Sequence, residues 1–400
     1  MKKRKKYTTM KNKPNILFIV PHLGLGGTTT ALTSLFNCRL SEHFNFEVFA
    51  IMRKNYQTKI LVAHDIGLNN LTTAFYGDFS QFRIKEKLRY LFLKLMKQSK
   101  RFRPRLEKWV IKRVIQEIEH HDQYDVVIGF QEELATRFSS QFTCPRKIAW
   151  IHCDYAKTFG KEVDETDIYN HFEKIVCVSK YTHQSFIGRY PSLAEKTVTI
   201  HNLFDAEHIV ELSKVAIDDQ RFDTSRFTII SLGRVHEVKR FNLIPEIAAQ
   251  LRKANLDFRW YILGNASIPS ELKRLTDTIH NFAMDDYVVY LGSKSNPYPY
   301  LKAADLLVST SRSEACPMIF NEAKILHVPI LSADFGSAFE FIEQGKDGYI
   351  TSIADMSQQL IKIATQPNEL TSLRKSISIT HTNDEIIEQL VQLFTKKSVL

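Results

Sequence analysis

Two carboxylates, Glu314 and Glu322, bracket a predicted helix start in the last third of the chain. The apolar run at residues 305–309 precedes them and is typical of a buried strand. Pro317, between the two glutamates, is predicted to be the first helical residue, because a proline there loses no intrahelical hydrogen bond. Without support from elsewhere in the chain, this pattern indicates only two surface glutamates at a helix start.

The predicted helix start is a candidate anion site. The amides of Met318 and Ile319 are expected to lack intrahelical partners, and such amides bind phosphate well. Glu322 follows Met318 by four positions, so its side chain is predicted to lie on the same side of the helix as these amides. The stretch therefore combines donors for an anion with two nearby carboxylates.

A pair of cations is the second candidate. Arg234 stands at the end of a predicted strand, and Lys239 follows five positions later at a predicted helix start. Ligands of open α/β sheets bind at this edge of the sheet. Arginine offers a planar fork to two phosphate oxygens and lysine offers a point charge, so together they suit a diphosphate. The alternative is two exposed cations in a loop.

Two further candidates lie in the first half of the chain. Gly26 and Gly27 follow a strand-like run and precede a helical pattern, the order of a phosphate-handling junction of the Rossmann kind. Thr29 breaks the full dinucleotide fingerprint, and a tight turn without a ligand is the alternative. His152 ends a predicted strand, where a lone histidine is more often structural; Asp154 is either its partner or an acid of the loop.

Length and composition favour two domains. The chain has 400 residues, 44% of them hydrophobic, which is enough for two cores. Its five cysteines include no Cys-x-x-Cys pair, which favours a reducing cytoplasm over a disulfide framework or structural zinc. The apolar run after the basic start is too short for a signal peptide, and no run has the length of a membrane span. We therefore expect a cytoplasmic protein.

The net charge of +10 is concentrated in two stretches. Residues 1–13 hold seven Lys or Arg and no acid, and residues 83–113 hold thirteen Lys or Arg against two acids. The second stretch lies in the basic segment, which we define as residues 83–121. The rest of the chain is mildly acidic, so these stretches need an explanation of their own.

The basic segment is predicted to be amphipathic. Leu88, Leu91, Phe92 and Leu95 recur at the spacing of one helix face, cations surround that face, and Pro104 separates a second predicted helix. Such a helix is typical of an element that lies on an anionic membrane surface. A solvated helix packed on its own domain is the alternative. Nucleic-acid binding is disfavoured because leucines, rather than aromatic stacking platforms, accompany the cations.

Short apolar strands alternate with helical patterns in both halves of the chain. This order predicts an α/β fold class with parallel sheets, and the repeat of the same order after about residue 227 predicts two doubly wound domains. Residues 206–226 between the halves are expected to be a linker of low order.

Three elements resemble one known family. They are the Glu-x7-Glu spacing of Glu314 and Glu322, the Gly-Arg-x5-Lys element of Arg234 and Lys239, and the Asn-x-x-Asp at residues 202–205. Together they resemble the retaining glycosyltransferases of glycosyltransferase family 4, also called glycosyl transferases group 1, of the capsular or exopolysaccharide type. The chain departs from the family pattern after the first glutamate, where alanine replaces the usual glycine, and before the Pro-Ile-Leu strand, where His-Val replaces a glycine.

The resemblance implies the GT-B fold, in which two Rossmann-like, doubly wound α/β domains face each other across a cleft. The implied domains are a basic leader expected to be disordered (1–14), an N-terminal acceptor-binding domain (15–204), a C-terminal nucleotide-sugar-binding domain (205–383) and a helix packing back on the first domain (384–400).

By this resemblance, Arg234 and Lys239 hold the diphosphate of the donor and stabilise the leaving nucleoside diphosphate. Glu322 accepts hydrogen bonds from the ribose, and Glu314 lies near the hydroxyls of the transferred sugar. His152 reaches that sugar near its reacting carbon. The other implied donor-binding positions are Gly26, Gly27, Gly264, Gly292, Ser293, Pro317, Met318 and Ile319.

We predict a retaining glycosyltransferase that transfers a hexose from a UDP- or GDP-sugar to a lipid-linked glycan acceptor in cell-surface polysaccharide biosynthesis. No metal or cofactor is expected, because Arg234, Lys239 and a helix N-terminus meet the charge of the diphosphate. Residues 83–113 are expected to hold the protein on the inner face of the cell membrane, with no nucleic-acid partner. The alternatives are a non-catalytic partner subunit of the same fold and a sugar-nucleotide epimerase.

Overall fold

The computed structural model describes residues 13–24, 26–52, 69–76, 84–99, 101–118, 120–159, 164–266, 268–379 and 382–395. The chain forms two compact units. The first contains Met1–Val178, Thr182–Leu203 and Asp384–Leu400, and the second contains Ser179–Tyr181 and Phe204–Asn383.

A parallel sheet of six described strands forms the centre of the first unit, in the order β2-β1-β3-β4-β5-β6. The strands are β1 (Asn15–Val20), β2 (Asn45–Ala50), β3 (Val126–Gly129), β4 (Arg146–Ile151), β5 (Lys174–Cys177) and β6 (Thr197–Thr199). The central strands are almost wholly buried, as expected for parallel strands covered on both faces.

The helices of this unit connect the strands and cover the sheet. They are α1 (Gly27–Asn37), α2 (Asn69–Tyr76), α3 (Ile84–Arg89), α4 (Leu91–Met96), α5 (Arg103–Glu117), α6 (Leu134–Ser140), α7 (Tyr155–Thr158), α8 (Thr166–Asn170) and α9 (Lys180–Arg189), with 3-10 turns at Arg39–Glu42 and Pro191–Lys196. Pro104 lies in the first turn of α5, where its missing N–H is tolerated.

The basic segment does not begin with the single amphipathic helix expected from its leucine spacing. Tyr90, at φ −103° and ψ 8°, separates α3 from α4. The expected apolar face is therefore divided between two short helices, and Leu88 is 68% exposed. Leu93, which lies outside the predicted face, is the buried residue of α4 and packs with Val110 of α5.

The second unit also contains a parallel sheet of six described strands, in the order β12-β11-β10-β7-β8-β9. The strands are β7 (Phe227–Leu232), β8 (Phe258–Leu263), β9 (Val288–Gly292), β10 (Leu306–Ser309), β11 (Ile330–Ala333) and β12 (Gly348–Thr351). Strands β7, β8 and β9 follow one another toward one edge of the sheet. Strand β10 then pairs with the other side of β7, and β11 and β12 follow toward the opposite edge, so the strand order reverses between β7 and β10. The prediction of an α/β fold with two doubly wound sheets is confirmed.

The helices of the second unit are α10 (Ala206–Leu212), α11 (Ile244–Lys253), α12 (Pro269–Asn281), α13 (Tyr298–Ala303), α14 (Met318–Ile325), α15 (Ala338–Phe341), α16 (Met356–Thr365) and α17 (Pro367–Ser376), with 3-10 turns at Glu237–Lys239 and Phe241–Leu243. The prediction that residues 206–226 form a linker of low order is wrong for the first part of this stretch, which forms α10. The side chain of Asp205 caps this helix by accepting from the amide of His208 at 3.1 Å.

The last helix, α18 (Asn383–Thr395), packs on the first unit through its C-terminal end. The ring of Phe394 lies 5.3 Å from that of Phe44. Arg146 donates to the carbonyl oxygens of Leu393 and Phe394 at 2.7 and 2.8 Å. A cation that satisfies the last carbonyls of a helix also opposes the negative end of its dipole.

Candidate functional site

The loops after β7 and β10 meet because these two parallel strands are neighbours at the point where the strand order reverses. Two hydrogen bonds join the loops. The amide of Arg312 donates to the carbonyl of Val238 at 2.8 Å, and the Thr310 hydroxyl donates to the carbonyl of Lys239 at 2.7 Å. Ligands of open α/β sheets bind at such a switch point, outside the carboxyl ends of the strands.

Arg240 holds the same two loops together with its side chain. Its guanidinium donates to the carbonyls of Thr310 at 2.7 Å and Ser311 at 2.9 Å. Its backbone adopts the left-handed conformation, φ 52° and ψ 34°, which is uncommon for a side chain of this size. Arg240 was not predicted as a site residue, although its position directly after Lys239 was a usable signal.

Lys239 and Glu314 form an ion pair across the joined loops. The lysine Nζ lies 2.5 Å from a Glu314 carboxylate oxygen, and the same oxygen accepts from the Ser311 hydroxyl at 2.7 Å. Ser337 donates to the main-chain carbonyl of Glu314 at 2.7 Å. Both partners of the pair are about one-fifth exposed, so the pair is accessible to a ligand.

Lys239 does not begin an α-helix as expected. It ends the 3-10 turn Glu237–Lys239, in which the Val238 amide donates to the His236 side chain, and α11 starts only at Ile244. Arg234 is exposed and lies two residues after the end of β7, at the carboxyl edge of the second sheet.

Glu322 is buried in the second turn of α14, with a relative exposure of 7%. The hydroxyl of Tyr298 lies 3.4 Å from its carboxylate. Burial raises the pKa of Glu322 to about 7. Burial, followed by the nearby carboxylate of Glu322, raises the pKa of Tyr298 above its ordinary value, so the phenol remains a donor. Tyr298 was not predicted, because no spacing in the sequence links it to Glu322.

The start of α14 differs by one residue from the prediction. Pro317 is the N-cap, because its extended ψ of 96° keeps it outside the helix, and Met318 is the first helical residue. Pro317 and Met318 are buried, and Ile319 is half-buried against the core of the unit.

Three glycines stand side by side at the carboxyl ends of β7, β8 and β9. The Gly233 amide donates to Leu263, and the Gly264 amide donates to Gly292, both at 2.9 Å. A Cβ atom on Gly264 would lie 1.7 Å from the Gly233 carbonyl oxygen, so only glycine permits this approach. The predicted positions Gly264, Gly292 and Ser293 therefore lie along the sheet edge that carries Arg234.

The predicted residues of the first unit occupy two strand ends. Gly26 is the N-cap of α1 and Gly27 is its first residue, after β1. His152 follows β4, and its amide donates to the Glu132 carboxylate at 2.9 Å. Burial lowers the pKa of His152 to about 3, so its imidazole is neutral near pH 7. Its Nε2 is buried and has no hydrogen-bond partner in the described part of the chain.

Within the described ranges, no group of three or more His, Cys, Asp or Glu side chains is arranged to hold a metal ion. None of the described helices combines the length and hydropathy needed to cross a bilayer.

Asp154 caps α7 and accepts from the Ser185 hydroxyl at 2.7 Å, so it has a structural role in its loop.

The chain is similar to curated glycosyltransferases over part of its length. The poly(ribitol-phosphate) alpha-N-acetylglucosaminyltransferase of Staphylococcus aureus is 24% identical over 269 residues, which are 64% of this chain and 52% of that protein. The O-antigen biosynthesis glycosyltransferase WbnH of Escherichia coli is 29% identical over 118 residues, 30% of this chain and 32% of that protein. The chain thus spans about half, or less, of the length of these relatives.

Solved structures show the same fold over nearly the whole chain. HepE of Anabaena in complex with UDP superposes with a TM-score of 0.64 at 16% identity, covering 95% of this chain and 99% of that one. The matches to curated glycosyltransferases agree with the predicted enzyme class, and the structural neighbour shows the fold. Residues 214–378 match the family glycosyl transferases group 1, and the chain has the GT-B fold of its structural neighbours.

Proposed function

We propose that the chain is a retaining glycosyltransferase of family 4 that transfers one hexose from a UDP- or GDP-sugar to a lipid-linked glycan acceptor of a cell-surface polysaccharide. The observation that carries this proposal is the Lys239–Glu314 pair at the switch point of the second sheet. A lysine and a carboxylate held together there offer one group for a diphosphate and one for sugar hydroxyls.

In the proposed reaction, the bond between the anomeric carbon and the diphosphate oxygen breaks, and its electron pair leaves with the nucleoside diphosphate. The acceptor oxygen forms the new bond to that carbon, and its proton passes to the oxygen of the departing diphosphate. Lys239 and Arg234 stabilise the charge that develops on the leaving diphosphate. Glu322 accepts hydrogen bonds from the ribose hydroxyls, and Glu314 orients the transferred sugar.

The proposed role of His152 is a hydrogen bond to the transferred sugar. A neutral imidazole suits an uncharged hydroxyl better than a phosphate. His152→Ala is therefore expected to lower transfer while leaving UDP binding, which we assign to the second unit, unchanged. Weaker UDP binding in this variant would contradict the assignment.

The decisive experiment measures consumption of UDP-glucose, GDP-mannose and related donors with and without a polyprenyl-diphosphate-linked glycan. A transferase consumes donor only with the acceptor, and nuclear magnetic resonance of the product gives the anomeric configuration. Consumption without acceptor indicates an epimerase, which converts the donor alone. Absence of binding to every nucleotide in thermal-shift measurements indicates the non-catalytic subunit, because a bound ligand raises apparent stability.

We further propose that the protein lies on the inner face of the cell membrane through the basic segment. Within residues 83–113 the described cations are largely exposed, and Leu88, Phe92 and Leu95 are at least 60% exposed beside them. Anionic lipid attracts such cations, and the attraction weakens as salt is added. Unchanged binding to anionic vesicles at low salt after Lys85→Glu, Lys94→Glu and Lys97→Glu would contradict this part of the proposal.

A further inference from the structure

An apolar groove lies on the surface of the first unit, between α2 and the helices α4 and α5 of the basic segment. Its volume is about 380 Å³, within the range of small-molecule sites. Its lining comes from α2, from α4 with the residue before it, and from α5. The lining residues are Leu71, Tyr90, Phe92, Leu93, Leu106 and Trp109.

The groove has a buried floor and exposed walls. Leu93 is 6% exposed and packs into a cluster with Phe75 and Val110, so the floor is a fixed part of the unit. Phe92 and Trp109 are 65% and 54% exposed, so two aromatic rings form the walls. Large apolar side chains left in water next to a groove mark a surface that binds something apolar.

Cations stand beside the walls. Arg105 and Lys112 are exposed and lie four residues before and three residues after Trp109, on the same face of α5. An occupant that matches both features has a hydrocarbon part for the groove and a negative charge for the cations. Tryptophan itself prefers the boundary between hydrocarbon and water.

We infer that the groove binds one hydrocarbon chain of an anionic membrane lipid, with the lipid phosphate beside Arg105 and Lys112. The inference rests on the proposed membrane association and adds a defined lipid site to it. A second copy of the chain fits the groove less well, because a two-fold contact would place the same cations against each other.

Trp109 provides a natural reporter for this site. The chain has three tryptophans, and the other two, Trp150 and Trp260, are 2% and 0% exposed. Quenching by a brominated lipid chain acts over short distances, so a bound chain in the groove quenches Trp109 selectively. The Trp109→Phe variant must lose this signal.

The probe is monomeric lysophosphatidylglycerol with a brominated chain, used with the full-length chain below the critical micelle concentration. We expect saturable quenching with one lipid per protein, weaker as salt is added, and much weaker with lysophosphatidylcholine. Phe92→Gln is expected to weaken binding about tenfold by removing one apolar wall. Phe339→Gln, at a position 67% exposed in α15, is the matched control and leaves binding unchanged.

Two results would overturn the inference. One is an absence of quenching by the monomeric lipid, even if vesicles still bind, because a flat charged surface binds vesicles without holding single chains. The other is quenching that Phe92→Gln leaves unchanged in a folded variant, as checked by circular dichroism. Self-association that grows with protein concentration and shields Trp109 would instead identify a second copy as the occupant. UDP binding tests the transferase proposal separately.

Discussion

The ammonium of Lys239 lies 2.5 Å from the carboxylate of Glu314, although the two residues are 75 positions apart in the chain. Each residue thus orients the other. In the proposed reaction, the donor diphosphate competes with the carboxylate for Lys239, which makes Glu314 available to sugar hydroxyls. The pair therefore couples the two parts of the proposed donor.

Lys239→Ala is expected to weaken UDP binding at least about tenfold, since a hydrogen bond between charged groups contributes about 1.5–3 kcal/mol. Isothermal titration calorimetry measures the effect, and Lys239→Arg is the control that keeps the charge.

Glu314→Gln is expected to bind UDP at least as well as the wild type, because it removes a competing partner of Lys239. Weaker UDP binding in Glu314→Gln would show that the glutamate contacts the nucleotide itself.

Arg240→Lys is expected to lower both stability and UDP affinity, because lysine cannot donate to the carbonyls of Thr310 and Ser311 with one planar fork. The loss in unfolding free energy is expected to be about 2 kcal/mol. Arg240→Gly relieves the left-handed backbone but loses both hydrogen bonds, so its UDP affinity is also expected to fall. Arg312→Lys, an exposed position in the same loop, is the matched control. Equal UDP affinity in the wild type and both Arg240 variants would refute a positioning role.

The raised pKa of Glu322 leads us to expect that the stability of the protein depends on pH. Its folded pKa of about 7 lies above the ordinary value of 4.5, so the folded state holds this proton more tightly than the unfolded state does. The protonated Glu322 therefore stabilises the folded state fully below pH 4.5, and this contribution to the free energy of unfolding is lost as the pH rises through 7. The free energy of unfolding of Glu322→Gln, taken relative to that of the wild type, should therefore rise by about 3 kcal/mol between pH 4 and pH 8. Urea denaturation at a series of pH values tests this, and an unchanged difference between the two proteins would contradict it.

Gly264→Ala is expected to destabilise the second unit by about 2 kcal/mol or more, because the new methyl group would lie 1.7 Å from the Gly233 carbonyl oxygen. The displaced strand end should also weaken UDP binding. Gly188→Ala is the control: nothing lies within 4 Å of its added methyl, and it occupies a helix. This control should be slightly more stable than the wild type, by about 0.5–1 kcal/mol. Similar stability of the two variants in thermal unfolding would argue against the close approach.

Several expectations failed where two signals of the sequence competed. Residues 206–212 were expected to be part of a linker, but they form a helix whose N-cap is Asp205. The basic segment breaks at Tyr90, and Leu93 packs in a cluster with Val110 of α5, so a tertiary contact decides which face of α4 is buried. Local spacing cannot distinguish these outcomes.

The sequence by itself determined the fold class and the chemistry of the main candidates. Continuous apolar runs alternate with helical patterns, so the strands had to be buried and parallel, and the residue types at positions 234, 239, 314 and 322 already suited a diphosphate and hydroxyls. Only the tertiary structure decided which of them meet. Lys239 and Glu314 pair because β7 and β10 are neighbours where the strand order reverses, and strand order is a property of long-range packing. The same packing buries Glu322 beside Tyr298 and places Arg240 across both loops.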